Sequence, residues 1–215
     1  MTSGPGGYHA VHLPEDPARA LVWRVVAAHL QHWIPGGAAV LEIGAGYCGW
    51  INAVQARKKM AADVWPDVVR HAGADVEAMV IDLAAGLTPF GDAAVDAVLA
   101  SNVIEHFEPD AAAALVAEIG RVLRPGGRLI VIQPNFRYAY RHYFDDYTHR
   151  STFTHVSLPN LLRSKGMRVL QVKPRFLPYS MRESRIPVSA WLVKAYLLSP
   201  FKPRAGQMLV VAEKD

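Results

Sequence analysis

The segment LEIGAGYCGW at 41–50 combines three glycines with a preceding carboxylate. Gly44, Gly46 and Gly49 formally match the G-x-G-x-x-G pattern, in which a loop approaches a bound cofactor closely. Glu42 lies two residues before the first glycine, where its charge would repel the pyrophosphate of a dinucleotide and suit a ligand with an ammonium group and a cationic centre. The same pattern also forms tight turns that bind nothing, so the loop alone does not identify a ligand.

Two further carboxylates, Asp63 and Asp82, each follow an apolar run, and 19 residues separate Gly44 from Asp63 and Asp63 from Asp82. Asp63 could accept hydrogen bonds from both hydroxyls of a ribose, in a dinucleotide or in another adenosine compound. Asp82 could accept from an adenine amino group while Leu83 packs on the ring, which a dinucleotide site does not need. One such aspartate is often only a helix cap or a turn former. Three carboxylates at consecutive strand ends favour a ligand site.

Predicted strands and helices alternate along the chain, and this alternation must position those carboxylates. The predicted strands are 38–44, 59–63, 76–82, 95–100, 128–133, 167–172 and 207–213. Asp16 opens a first predicted helix, and further helices are predicted at 49–57, 66–72, 110–123 and 157–166. Near-continuous apolar strands are typical of a sheet covered on both faces. We therefore expect an α/β fold with a doubly wound, mostly parallel seven-stranded sheet, whose strand ends bind ligands at one edge.

Taken together, these motifs resemble those of the class I S-adenosylmethionine-dependent methyltransferases, over roughly residues 35–173 and the final strand. The stretches LASNVIEHF at 99–107 and RVLRPGGRLIVIQPN at 121–135 are similar to that family's fourth strand and to the helix, turn and fifth strand that follow. The resemblance implies a Rossmann-like methyltransferase fold with an antiparallel last strand. The departure is Cys48, where the family's loop usually has glycine as it approaches the carboxypropyl group of the cofactor.

The resemblance implies that the cofactor is S-adenosyl-L-methionine. Ten residues would then bind it: Glu42, Gly44, Ala45, Gly46, Asp63, Val64, Asp82, Leu83, Ser101 and Asn102. Among them, the glutamate and the glycines would line the methionine part, Asp63 would hold the ribose hydroxyls, and Asp82 with Leu83 would hold the adenine. Ser101 and Asn102 would lie beside the sulfonium.

Methyl transfer from a sulfonium to a hydroxyl needs an in-line acceptor and benefits from a base within hydrogen-bond reach. His106, just after the fourth strand, could be that base or could only pack beside the cofactor. His149 and Asp145, in HYFDDYTHR at 142–150, are further candidates, although this stretch could equally be a structured loop. A His/Asp cluster there could also bind a divalent metal. Because the spacing matches no compact metal motif, no metal ligand is assigned.

Arginines interleave with aromatic residues after the fifth predicted strand. Arg137, Tyr138, Arg141 and Tyr147 are the predicted substrate-binding residues, because such a mixture can stack on a base or sugar and pair with phosphate. Nucleic acid is not expected as a partner, since no dense Lys/Arg run or recognition module is present. The acceptor is predicted to be a small molecule or glycan, with an anionic group.

The predicted organisation is a flexible N-terminal segment at 1–14 and one methyltransferase domain at 15–215, with acceptor-binding insertions at about 134–156 and 174–204. The predicted function is S-adenosylmethionine-dependent methyl transfer, with a hydroxyl as the first choice of acceptor. Two alternatives stay open. One is an NAD-dependent oxidoreductase, against which Glu42 and Asp82 argue. The other is a non-catalytic protein that binds S-adenosylmethionine and acts as a partner.

Composition narrows the remaining possibilities. The 215 residues include one cysteine and are 51% hydrophobic, which excludes a disulfide framework and general disorder. Residues 1–107 carry 6 Lys and Arg against 11 Asp and Glu, whereas residues 108–215 carry 17 against 8, so the two halves are expected to face different partners. No apolar run approaches a membrane span, and a cytoplasmic protein is expected. The apolar segment 187–201 could contact a membrane surface or a second copy in a homodimer.

Overall fold

Seven strands form one sheet in the computed structural model, which describes residues 15–179 and 188–215. In chain order they are β1 (Ala39–Ile43), β2 (Lys58–Asp63), β3 (Val76–Val80), β4 (Val95–Ser101), β5 (Leu123–Pro134), β6 (Met167–Pro178) and β7 (Ala205–Lys214). Their order across the sheet is β3-β2-β1-β4-β5-β7-β6. The first five strands pair in parallel, and β7 is antiparallel to both its neighbours. The predicted mostly parallel seven-stranded sheet with a reversed last strand is therefore confirmed. The predicted flexible segment at 1–14, and residues 180–187 of the second predicted insertion, lie outside the described residues.

Six α-helices accompany the sheet in the described part of the chain. They are α1 (Pro17–Leu30), α2 (Val68–His71), α3 (Pro109–Val122), α4 (Phe136–Ala139), α5 (Ser157–Ser164) and α6 (Ala190–Leu198). The start of α1 follows the sequence signal, because the Asp16 side chain accepts a hydrogen bond from the Ala18 amide at 2.9 Å and Pro17 occupies the first turn.

The predicted helix at 49–57 is wrong, because this segment forms irregular turns. The amide of Ile51 donates to the Glu42 carboxylate at 2.9 Å, so it is not used in a continuous helical ladder. Trp50 and Ile51 are both fully buried, which turns this segment into part of the core beneath the glycine loop.

The core has two layers, one on each face of the sheet. Alternate residues of β5 supply them: Leu129 and Val131 belong to one apolar cluster, and Ile130 and Ile132 to the other. Helices α3 and α5 cover the first face, and α1 with α6 covers the second. This two-sided covering is the reason that the strands read as continuous apolar runs.

Helix α6 contributes few buried side chains and leaves a surface of large apolar residues. Trp191 is 73% exposed, Leu198 66% and Phe201, just beyond the helix, 76%. In the part of the chain that the structure describes, no helix is long and apolar enough to cross a bilayer.

Arg121, near the end of α3, fastens the connection between β3 and β4 to that helix. Its guanidinium donates to the carbonyls of Leu87 at 3.1 Å and Phe90 at 3.0 Å. It also binds the carboxylates of Asp92 at 2.7 Å and Glu118 at 2.9 Å. The planar guanidinium therefore ties four groups on two segments with one side chain.

Replacing Arg121 with alanine should lower the free energy of unfolding by about 1–3 kcal/mol, because the hydrogen bonds of the charged guanidinium to two carbonyls and two carboxylates are lost. Urea denaturation would measure this. Lysine at the same position should recover only part of the loss, since an ammonium cannot reproduce the fork. Arg163→Ala is the control, because that arginine is exposed on α5 and binds only the Asn160 side chain among the described hydrogen bonds. Equal losses in the Arg121 and Arg163 variants would contradict the role assigned to Arg121.

Candidate functional site

A cavity of about 1010 Å³ opens at the edge of the sheet where the parallel strands end. All ten residues predicted to bind the cofactor line it: Glu42, Gly44, Ala45, Gly46, Asp63, Val64, Asp82, Leu83, Ser101 and Asn102. The three candidate catalytic residues, His106, Asp145 and His149, line the same cavity. The topology accounts for this convergence, because the carboxyl ends of neighbouring parallel strands meet at one edge.

The glycine loop takes backbone conformations that exclude most side chains. Gly44 has φ +64°, and a Cβ atom there would lie 2.3 Å from the Val103 side chain. Gly46 has φ +48° and Cys48 has φ +55°, so all three adopt the left-handed region. Cys48 thus occupies a conformation that suits the glycine usual at this position in the family. Its thiol is buried, and burial together with the Glu42 and Asp63 carboxylates raises its pKa to about 12, which makes it a packing residue and not a nucleophile.

Asp63 joins the glycine loop to the end of β2. One carboxylate oxygen accepts from the Gly46 amide at 2.7 Å, and the other accepts from the Trp65 amide at 2.8 Å. The Ala62 carbonyl adds a bond from the Gly44 amide at 2.8 Å. Asp63 is 6% exposed and keeps a second lone pair on each oxygen, so it both shapes the loop and faces the cavity.

Glu42 is a buried carboxyl group beside that loop. Burial raises its pKa to about 8, with a smaller contribution in the same direction from Asp63, while the hydrogen bond from the Ile51 amide opposes the shift. A positive group brought next to this carboxyl would favour its ionised form. The end of β1 therefore suits a cationic ligand better than an anionic one.

Asp82 and Leu83 form the third strand end. The Asp82 side chain accepts from the Ala84 amide at 2.9 Å and caps the short 3₁₀ helix Leu83–Ala85. Asp82 is exposed at the cavity, whereas Leu83 is 8% exposed. The aspartate is therefore a helix cap that also lines the cavity, and its contact with an adenine stays a prediction.

Ser101 and Asn102 end β4 in the middle of the sheet. Asn102 has φ +52°, a conformation that asparagine tolerates better than most residues, and its amide donates to the Ile132 carbonyl at 2.8 Å. The Gln207 side chain donates to the Asn102 side chain at 3.3 Å, so the reversed strand β7 also braces this part of the cavity.

The opposite wall is formed by His106, His149 and the loop between them. The His106 and His149 rings lie 4.9 Å apart. Burial and the charge of His149 lower the pKa of His106 to about 4, against the opposing effect of Asp146 and Thr148. Burial also lowers the pKa of His149. Both rings are therefore neutral near pH 7. Asp145 is exposed and pairs with His142 at 3.1 Å.

The predicted substrate-binding residues divide into two groups. Tyr147 lines the cavity. Among the residues that the structure describes, Arg137, Tyr138 and Arg141 do not line it; Tyr138 stacks between the Arg175 guanidinium at 4.4 Å and the His155 ring. Their role in acceptor binding stays a prediction.

Glu105, Asp146 and Thr148 are the site residues that sequence reasoning missed. The Thr148 hydroxyl donates to Asp146 at 2.5 Å and lies 2.9 Å from Nδ1 of His106. Glu105 is fully buried. Burial and the Asp146 charge raise its pKa to about 8, and the nearby amides of Val103 and Glu105 oppose this. In the sequence, the only signal for this cluster was that Glu105 and His106 are adjacent. Asp146 and Thr148 lie on a distant loop, and no sequence pattern connects them to that pair.

Comparison with known proteins supports the family resemblance. Residues 41–131 match a family model described as a methyltransferase domain. An uncharacterized methyltransferase from Mycobacterium sp. (strain JLS) is 40% identical over 129 residues, which cover 54% of this chain and 50% of that protein. The chain thus spans about half the length of the curated relatives it matches.

Two solved structures share the fold. A SAM-dependent methyltransferase from Archaeoglobus fulgidus superimposes with a TM-score of 0.66 at 18% identity, over 89% of this chain and 94% of that chain. The N-methyltransferase NodS from Bradyrhizobium japonicum, in complex with S-adenosyl-l-homocysteine, superimposes with a TM-score of 0.62 at 13% identity, over 95% and 91%. At these identities the likeness shows a common fold.

The raised pKa of Glu42 makes a prediction about stability. The folded protein keeps the Glu42 proton up to a pKa of about 8, whereas the unfolded chain loses it near the ordinary value. Because the folded state binds more protons in this window, Glu42 makes stability fall as the pH rises from about 4.5 to 8. Glu42→Gln should therefore lose less stability than the wild type between pH 5 and pH 8, measured by urea denaturation.

The difference between the pH profiles of the wild type and Glu42→Gln gives the contribution of Glu42 alone. Glu105 and the histidines titrate in both proteins, so their contributions cancel. The lowered pKa values of the histidines would by themselves make stability rise with pH. Glu118→Gln is the control, because Arg121 lowers the pKa of that half-buried carboxylate and it stays ionised throughout the window. Its stability should change with pH as the wild type's does. Parallel pH profiles for the wild type and Glu42→Gln would show that Glu42 does not titrate as described.

Proposed function

We propose that this chain, whose residues 41–131 match a methyltransferase domain, is a class I S-adenosylmethionine-dependent methyltransferase that transfers a methyl group from S-adenosyl-L-methionine to a hydroxyl of a small-molecule or glycan acceptor. The observation that carries the proposal is the convergence of all ten predicted cofactor residues on one cavity. The candidate acceptor-side groups line the same cavity, so donor and acceptor would be held next to each other.

The residues present fit the cofactor. Its ammonium group and sulfonium are cationic, and the buried Glu42 lies at the end of β1 beside the loop that would bind the methionine part. Asp63 would accept from the ribose hydroxyls with the lone pairs that the Gly46 and Trp65 amides leave available. Asp82 would accept from the adenine amino group while Leu83 packs against the ring. Bound S-adenosyl-L-methionine supplies an electrophilic methyl group.

Among the described residues of the acceptor wall, His106 is our candidate for the general base. The Thr148 hydroxyl uses its proton on Asp146, so the oxygen accepts from Nδ1–H of His106, and the lone pair of the neutral ring is on Nε2. With a pKa of about 4, His106 can accept a proton but is a weak base. The larger contribution of this wall is therefore to position the acceptor. His149 and Asp145 border the same space.

Glu42 also separates this proposal from an NAD-dependent oxidoreductase. A dinucleotide would bring its anionic pyrophosphate to the glycine loop, where it would oppose ionisation of the buried Glu42 carboxyl, whereas the cationic methionine part of S-adenosyl-L-methionine favours the ionised form. A non-catalytic protein that binds S-adenosylmethionine would use the same cofactor wall. Formation of S-adenosylhomocysteine in the presence of an acceptor would show that the protein is an enzyme and not such a binding protein.

Other parts of the prediction are kept as proposals. The exposed surface formed by Trp191, Leu198 and Phe201 supports contact with a membrane surface or a second copy of the chain. Because α6 packs beside α1, either contact would lie on the face of the sheet that α1 covers. A cytoplasmic location stays a prediction.

Isothermal titration calorimetry tests the cofactor. We expect S-adenosyl-L-methionine to bind and NAD to give no measurable heat. Asp82→Ala should weaken S-adenosyl-L-methionine binding by about tenfold or more, since a hydrogen bond to a charged group is lost.

Asp75→Ala is the matched control, because Asp75 precedes the same strand β3 at the opposite edge of the sheet, where it pairs with Lys59 at 2.7 Å. Its affinity should equal that of the wild type. An Asp82 variant with unchanged affinity, or binding of NAD in place of S-adenosyl-L-methionine, would refute the proposed cofactor site.

A further inference from the structure

We propose that Glu105, His106 and His149 form a binding site for one divalent transition-metal ion on the acceptor wall of the cavity. Each residue offers one ligand atom, and these atoms lie within 4.8 Å of one another. Sequence reasoning assigned no metal ligand, because the His and Asp residues at 142–150 match no compact metal motif, and it did not consider Glu105 or His106 as ligands. Metal binding at this site does not depend on the proposed methyl transfer. A role of the metal in binding an acceptor rests on that proposed function.

His149 is held in the tautomer that a metal ligand requires. Its Nδ1 lies 2.6 Å from the Tyr143 carbonyl oxygen. A carbonyl can only accept, so Nδ1 carries the proton and the lone pair is on Nε2. Histidines that bind metals typically donate their other ring N–H to a carbonyl or a carboxylate in this way.

His106 is oriented by the same kind of contact. The Thr148 hydroxyl donates to Asp146 at 2.5 Å, and its oxygen then accepts from Nδ1–H of His106 at 2.9 Å. The lone pair of this ring is therefore also on Nε2. The rings of His106 and His149 are 4.9 Å apart, which suits two imidazoles that share one ion after a small adjustment.

Glu105 supplies the independent observation. Its side chain is fully buried, and neither carboxylate oxygen has a hydrogen bond of standard geometry in the described structure. The amides of Val103 and Glu105 act on this carboxyl without meeting hydrogen-bond geometry, and proteins normally satisfy a buried carboxyl fully. A cation between Glu105 and the two imidazoles would satisfy it. The backbone carbonyl of Glu105 accepts from the amides of Arg150 and Ser151 at 2.9 and 3.1 Å, so the segment bearing His149 is fixed next to it.

The ligand set indicates the kind of metal. Two imidazoles with one carboxylate suit zinc, iron(II) and cobalt(II), whereas magnesium and calcium prefer oxygen ligands. Three protein ligands leave coordination positions open, and both histidines line the cavity. An acceptor hydroxyl bound at an open position would lose its proton to water more readily. With the metal bound, Nε2 of His106 would be a ligand and would no longer serve as a base.

The test uses full-length protein freed of metal with a chelator and then titrated with Co²⁺ alone and Zn²⁺ alone. We expect one equivalent of Co²⁺ to give visible absorption bands, and Zn²⁺ to displace it. Glu105→Gln and His149→Ala should each weaken binding by about 10-fold to 100-fold or abolish it. Thr148→Val should weaken it by about tenfold, because it removes only the contact that orients His106. His142→Ala is the control, since this exposed histidine also pairs with an aspartate in the same loop.

Failure to bind Co²⁺ and Zn²⁺ in the wild type would overturn the proposal, as would equal binding by the Glu105, His149 and His142 variants. If Glu105→Gln or His149→Ala does not fold, the melting temperatures of the wild type and Thr148→Val test the site instead. Zn²⁺ should raise the melting temperature of the wild type and raise that of Thr148→Val by a smaller amount. No shift in the wild type would refute the site. Because these titrations contain no cofactor, their outcome is separate from the calorimetry of S-adenosyl-L-methionine.

Discussion

The contact on which the cavity depends is the Asp63 carboxylate between the amides of Gly46 and Trp65. Those two amides belong to the connections that follow β1 and β2, so one side chain sets the distance between the two strand ends. The left-handed conformations of Gly44 and Gly46 bring the loop within reach of it. If this carboxylate were absent, the loop after β1 would have no side-chain anchor to β2, and the cofactor wall would lose its shape.

The acceptor wall is anchored separately. The Glu105 carbonyl accepts from the amides of Arg150 and Ser151, and the Tyr143 hydroxyl donates to the Ser151 carbonyl at 2.6 Å. These bonds hold the loop after β5 against the short segment after β4. The two walls therefore meet at β4, whose end carries Ser101 and Asn102. A cavity with two independently anchored walls can keep its cofactor side constant while the other side adapts to an acceptor.

The sequence could predict the cofactor wall because that wall follows from strand topology. Glu42, Asp63 and Asp82 each follow a strand, and parallel strands bring their carboxyl ends to one edge whatever lies between them. The acceptor wall depends on contacts between distant segments, such as Asn135 with the Pro174 carbonyl at 2.9 Å and His149 with Tyr143. Spacing in the chain does not encode these contacts. For this reason, the sequence could suggest His149 only because histidine is a common catalytic residue. For the same reason, Arg137 and Arg141 were predicted to bind an acceptor, although the described cavity is lined by other residues. The failed helix at 49–57 has the same origin, because a long-range bond from the Ile51 amide to Glu42 replaces a local one.

The charge asymmetry between the two halves of the chain also changes meaning once the fold is known. Part of the positive charge after residue 120 is used in structural pairs: Arg121 with Asp92, Arg124 with Asp96, and Arg168 with Glu213. In the described part of that stretch, Arg150 is the arginine that lines the cavity. Carboxyl groups line both of its walls, with Glu42, Asp63 and Asp82 on one side and Asp145 and Asp146 on the other. The interior therefore favours cationic ligands over anionic ones. A sulfonium with an ammonium group and a divalent metal ion both meet that condition, and an anionic acceptor would have to place its charge at the Arg150 rim.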